Sequence, residues 1–146
     1  MKNENTLISK EFILKVRVYY EDTDAGGFVY HANYLKYLDR ARTEWLRAIG
    51  IEQTQLREQY KLVFVVRQIS INYLKPIFLN ELINVTSSLI QIGKASMIFT
   101  QRILRNADVV CTAEVKIAAL NIIKQRPQAL PPEIIQTITT QTEFHK

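Results

Sequence analysis

Cysteine is nearly absent from this chain: Cys111 stands alone among 146 residues. An internal disulfide framework is therefore excluded, and a reducing, cytoplasmic setting is expected. Histidine is almost as scarce, with only His31 and His145. Together with one cysteine these are too few donors for a usual zinc set, so neither a metal nor a cofactor is expected. No apolar run approaches the length of a membrane span. The start, Met1-Lys2-Asn3-Glu4-Asn5-Thr6, has no apolar core behind its lysine, so no signal peptide is expected. Without secretion the sequon Asn84-Val85-Thr86 reads as accidental. Glycine occupies only four positions, and Gly26-Gly27 has neither the spacing nor the preceding parallel-sheet unit of a nucleotide fingerprint. No serine sits in a nucleophile elbow, and a Ser-His-Asp triad would have to recruit His31.

Dense basic runs are missing too. The formal charge of +5 favours an anionic partner: nucleic acid, an acidic membrane face or a phosphate-bearing ligand. Yet Arg40, Arg42 and Arg47 are spread along one segment, and Lys116, Lys124 and Arg126 come much later. Bases scattered in this way read as solvated surface, and no nucleic-acid partner is expected.

What is present is an ordinary globular balance, with 47% hydrophobic and 23% charged residues. The length suits one domain over residues 1–146, with residues 1–10 and 127–146 as peripheral tails. Residues Phe12, Leu14, Val16 and Val18 alternate with Ile13, Lys15 and Arg17, which predicts a half-buried strand. After a loop over 21–27, Tyr34, Leu38, Ala41, Trp45 and Ile49 recur at helical spacing, with Leu35, Arg42 and Leu46 on an adjoining row. The helix is expected over 31–49, with Gly50 as its left-handed terminator. Arg40 and Glu44 are spaced to pair across one turn. A shorter helix is expected over 52–60. Strands follow over 63–74, 82–92 and 95–104, and a last one carries Cys111, Ala113, Val115, Ile117 and Ala119. Turns at Gly93-Lys94 and Asn106-Ala107-Asp108 make consecutive strands into antiparallel hairpins. Arg126-Pro127 is read as the end of the sheet, and Pro131-Pro132-Glu133 opens a terminal helix. The expected fold is α+β: a five-stranded antiparallel sheet wrapped around one long helix. Apolar residues on the far sheet face suit a second copy.

The chemistry concentrates in residues 19–35. Asp22 and Asp24 precede the long helix by less than two turns. The first-turn amides around Tyr30, His31 and Ala32 lack intrahelical partners and carry positive partial charge. Such donors can hold a carbonyl oxygen as it becomes an oxyanion. A carboxylate on the other side of that carbonyl can act as a base on water or attack directly. Gly26 and Gly27 let the backbone approach a ligand closely. Each residue also has a plainer use: an aspartate before a helix as a cap, a glycine pair as a turn. Cys111, mid-strand in an apolar row, reads as core.

The string Val18-Tyr19-Tyr20-Glu21-Asp22-Thr23-Asp24-Ala25-Gly26-Gly27-Phe28-Val29-Tyr30-His31-Ala32-Asn33-Tyr34-Leu35, followed by Arg40-Ala41-Arg42-Thr43-Glu44-Trp45-Leu46, closely resembles the YbgC-type acyl-CoA thioesterases. These belong to the hydroxybenzoyl-CoA thioesterase branch of the hotdog fold. Phe64-Val65-Val66-Arg67 and Tyr73-Leu74-Lys75-Pro76 are similar to that family as well. The resemblance runs from about Phe12 to Ile123. It implies a hotdog fold, an acyl-CoA substrate and a homodimer or homotetramer whose sites lie at the subunit interface. It implies that Asp24 is the catalytic carboxylate and that the His31 amide polarises the thioester carbonyl, with the His31 side chain lining the site. Asp22 becomes a supporting residue and Tyr30 shapes the acyl pocket, while scattered Lys and Arg meet the CoA phosphates. The family is also associated with acyl-carrier protein and with the Tol–Pal envelope system. An adaptor with little hydrolysis, at the inner membrane's cytoplasmic face, is thus the alternative. Phe28 stands where a smaller aliphatic residue is usual, and Leu38-Asp39 where Phe-Glu is common.

Overall fold

Alternation makes the first strand. In the computed structural model, which describes residues 8–9, 11–141 and 144–145, Phe12, Leu14 and Val16 turn inward along β2 (Phe12–Arg17) while Ile13, Lys15 and Arg17 face out. The chain then runs through a 3-10 turn (Tyr20–Asp22) into α1 (Asn33–Ala48) and α2 (Gln53–Tyr60). Strands β3 (Leu62–Tyr73), β4 (Leu82–Ile92), β5 (Ser96–Arg105) and β6 (Asp108–Asn121) follow, then a two-residue β7 (Arg126–Pro127) and α3 (Pro132–Gln141). Short β1 (Ile8–Ser9) and β8 (Phe144–His145) pair with each other antiparallel. Of the peripheral tail expected over 1–10, residues 1–7 and 10 lie outside the described residues.

The sheet has the order β2-β4-β5-β6-β3, antiparallel throughout. The hairpin reading holds for β4-β5 and β5-β6. It fails for β3-β4: β3 pairs with β6 at the far edge, and the 74–81 connection carries the chain across to β4. The sheet also gains a sixth strand. Arg126–Pro127 does not end it but pairs with Leu120 and Asn121, where proline is tolerated because β7 is an edge.

Helix α1 lies inside the curl. Tyr34, Tyr37, Leu38, Ala41, Trp45 and Leu46 are buried on one broad face, and the Trp45 and Phe99 rings meet edge to face at 5.1 Å. Each large apolar side chain so enclosed contributes about 1.5–3 kcal/mol. Gly50 terminates the helix with φ of +93°, a conformation costly for residues with a Cβ. Glu44 pairs with Arg47, which also reaches Glu52 at 3.0 Å, so the expected Arg40–Glu44 pair gives way to a local cluster.

One correction concerns Arg42, read from sequence as solvated. It is only 7% exposed. Its guanidinium donates to the Gln101 Oε1 at 3.0 Å, and Gln101 Nε2 donates to the Leu38 carbonyl (3.0 Å) and the Ser87 hydroxyl (2.9 Å). The network ties mid-helix α1 to β4 and β5. Of its row mates Leu46 is buried but Leu35 is 39% exposed, and no sequence rule separates a buried arginine from an exposed one there.

Candidate active site

The loop between β2 and α1 is held from both sides. At its base the Val18 amide donates to Glu81 O (2.9 Å) and the Asn80 amide to Val18 O (3.0 Å). Further on, Val29 and Leu79 amides donate to Ile77 O and Gly27 O, and Phe28 bridges Phe78. The 74–81 connection thus acts as the loop's scaffold.

Within the loop the two aspartates have different surroundings. Asp22 is buried, and its carboxylate accepts the Tyr19 amide at 2.9 Å. Its carbonyl accepts the Tyr30 amide (2.9 Å) and the buried Asn33 side-chain amide (2.8 Å). The Asp22 carbonyl and one of its carboxylate oxygens, Oδ2, thus fix the loop against the helix start. Asp24 is exposed. Its Oδ1 accepts the Gly26 amide at 2.9 Å and the Phe28 amide at 3.3 Å, while Oδ2 meets no donor among the described residues. Two backbone donors on one oxygen hold the carboxylate in place and leave the second oxygen free.

The two glycines serve this hairpin differently. Gly27 has φ of +81°. A Cβ on Gly26 would lie 3.1 Å from the Phe28 ring and 3.4 Å from Asp24 Oδ1. The larger Phe28 is therefore accommodated: its ring leans over Gly26 and meets Phe78 at 5.2 Å.

The helix start supplies donors. The amides of His31 and Ala32 meet no acceptor among the described residues, as expected of a first turn. The His31 ring is exposed and packs on Tyr30 at 4.5 Å. Tyr30 is 48% exposed beside it. The structure thus places Asp22, Asp24, Gly26, Gly27, Tyr30 and His31 in one loop-and-turn unit, with Asp22 bonded to Tyr30 and no bond between Asp24 and His31.

Three further residues complete the surroundings. Asn33 anchors the helix to Asp22, as above. Tyr73, at the end of β3, donates its hydroxyl to His31 O at 3.1 Å and meets the Tyr34 ring at 4.9 Å. The Tyr37 hydroxyl is buried facing Asp22, and among the described residues it makes no hydrogen bond of ordinary geometry. Burial foremost, and then the Asp22 carboxylate, pushes its pKa up. Tyr37 and Asn33 follow Tyr34 and Tyr30 at three-residue spacing, a helical signal that could have drawn attention to them.

The matching family model, described as thioesterase-like superfamily, covers residues 18–138. The chain belongs to this superfamily, within its YbgC-type branch. It is 41% identical over 128 residues to the acyl-CoA thioesterase YbgC of Haemophilus influenzae, covering 88% of this chain and 94% of that one. Against the acyl-CoA thioesterase YbgC of Helicobacter pylori the identity is 35% over 127 residues, covering 81% and 92%. The crystal structure of a probable thioesterase from Bartonella henselae superposes with a TM-score of 0.80 at 34% identity, over 84% of this chain and all of that one. The curled sheet around α1 is the hotdog fold of this superfamily.

Proposed function

We propose that this protein hydrolyses acyl-CoA thioesters, with Asp24 as the reacting carboxylate. The observation that carries the reading is the free Asp24 Oδ2, on a carboxylate pinned by two amides, in a loop that leads directly to the unpaired His31 and Ala32 amides. A thioester whose carbonyl oxygen takes the His31 N–H presents its carbon to that carboxylate.

Two routes balance. As a base, Oδ2 takes a proton from water, whose oxygen attacks the carbonyl carbon. The resulting oxyanion is held by the His31 amide. Its collapse breaks the C–S bond, the CoA thiolate takes up the proton, and the acid leaves. As a nucleophile, Oδ2 itself attacks, CoA departs, and water then cleaves the mixed anhydride. Single turnover in heavy-oxygen water separates them. Label found in the Asp24 carboxylate supports attack by Asp24; label confined to the product supports water attack.

Asp22 positions the loop, Tyr30 and the His31 ring border the acyl group, and surface Lys and Arg receive the CoA phosphates. The edge strand β3 exposes Val65, Val66 and Tyr73. A second copy pairing along that edge would cover them and complete the site. Hydrolysis of a panel of acyl-CoAs tests the whole reading; tight acyl-carrier-protein binding without turnover of any of them would favour the adaptor role instead.

A further inference from the structure

The second polar feature of the α1 flank lies well away from Asp24. A cavity of ≈ 40 Å³ opens between α1 and the sheet, lined among others by Asp39, Arg42, Thr43, Phe64, Val66 and Met97. The sheet side of the cavity is apolar, while the helices contribute Thr43, Gln53 and the pair Arg42 and Asp39, which stand 3.5 Å apart. That volume exceeds what one water needs but is too small for a ring system.

Arg42 is unusual among the chain's cations. It is 7% exposed, and its one carboxylate partner among the described residues, Asp39, is 70% exposed at the side chain. A guanidinium has five N–H donors; Gln101 and Asp39 each take one. Burial lowers the Arg42 pKa, with Asp39 acting the other way. Among the described residues the other Arg42 N–H groups meet no acceptor, so the wall offers donors beside one carboxylate.

Helix periodicity connects this wall to the active site. His31, Leu35, Asp39, Arg42 and Leu46 fall on one stripe along α1 and the turn before it. Strand β3 runs beside the stripe in the opposite sense. At one end Tyr73 bonds His31; at the other Phe64 and Val66 share the cavity with Arg42 and Leu46. Between them lie Leu35 on the helix and the half-buried Ile69 and Ile71 on β3. At about 1.5 Å per residue, Asn33, where α1 begins, and Arg42 are about 14 Å apart along the axis.

We infer that this flank takes the acyl chain of a medium-length substrate whose far end carries a hydroxyl, read by Arg42 and Asp39. A hydroxyl matches the pair because it accepts from Arg42 and donates to Asp39. A methyl end leaves both groups unanswered. A carboxylate end meets Arg42 but is repelled by Asp39. The inference rests on the thioesterase reading and names the substrate class of that site.

The test compares saturated acyl-CoAs, from butyryl to myristoyl, with their ω-hydroxy and ω-carboxy counterparts. At the best chain length the ω-hydroxy thioester should show kcat/KM about tenfold above the unsubstituted one, the value of one charged hydrogen bond. Asp39→Ala should erase that preference and raise turnover of the ω-carboxy series, because the repelling charge is gone. Val66→Phe, which fills the cavity, should shorten the preferred chain. Equal or lower kcat/KM for the ω-hydroxy series would overturn the inference, as would an unchanged ranking in Asp39→Ala. Thermal shifts with the free ω-hydroxy and unsubstituted acids read the pocket without turnover. If no thioester is cleaved yet the hydroxy acid raises Tm more, the thioesterase reading fails and the pocket stands; equal shifts overturn the pocket.

Discussion

The Asn33 side-chain amide donates to the Asp22 carbonyl oxygen at 2.8 Å, across eleven positions of sequence. Both residues are buried, so the bond fixes the loop that carries Asp22 and Asp24 to the first turn of α1. Asn33→Ala should cost about 1 kcal/mol, at the lower end for a buried hydrogen bond, because the Asp22 oxygen keeps the Tyr30 amide. It should also reduce kcat more than it raises KM. Urea melts and steady-state kinetics on the same samples check both effects.

Gly27 and Gly26 should respond differently to alanine. Gly27 has φ of +81° and open space around a would-be Cβ, so Gly27→Ala meets backbone strain alone, about 1–2 kcal/mol. Gly26→Ala instead meets the Phe28 ring, which is 41% exposed and can swing aside. Its stability loss should be smaller than that of Gly27→Ala, and pairing it with Phe28→Val should recover that loss. Thermal unfolding of the four proteins decides the ordering.

Tyr73→Phe removes the hydroxyl that holds His31 O while leaving the ring against Tyr34. Tyr73 is 45% exposed, so stability should change by about 0.5 kcal/mol or less. A looser first turn should lower kcat with KM unchanged. A KM rise with kcat intact would contradict this role for Tyr73.

Cys111 is fully buried, and burial pushes its thiol pKa up to about 12. It should resist thiol reagents in the native protein at mildly alkaline pH and react on unfolding. The linked effect on stability has a definite sign. Below about 8.5, the ordinary thiol pKa, folded and unfolded chains both keep the proton. Between there and about 12 the unfolded chain loses a proton that the folded chain retains, so this group makes stability fall as pH rises. Comparing Cys111→Ala with the parent across that window isolates the contribution.

The fold was legible where a period or a terminator carried it. Phe12, Leu14 and Val16 announced β2, and Gly50 announced the end of α1, because local geometry alone demands those patterns. The neighbour of β3 was not legible, since nothing in Leu62–Tyr73 encodes whether β4 or β6 lies beside it. That depends on how the 74–81 connection crosses the sheet. Asp22, Asp24 and the glycine pair drew attention to the loop, and the family resemblance implied roles for them. Their division of labour needed coordinates: which aspartate is buried depends on Tyr19, Tyr30 and Asn33 meeting in space. Arg42 was misread because its burial depends on Gln101, 59 positions away.

The central claim is that Asp24 performs the chemistry, and Asp24→Asn tests it most directly. Asparagine keeps an oxygen that can accept the Gly26 and Phe28 amides, so the loop should persist and Tm should stay near the parent's. Its neutral amide is neither a base nor a good nucleophile. Acyl-CoA hydrolysis should therefore fall by about 10²- to 10⁴-fold in kcat. A folded Asp24→Asn protein with kcat near the parent's would contradict the account.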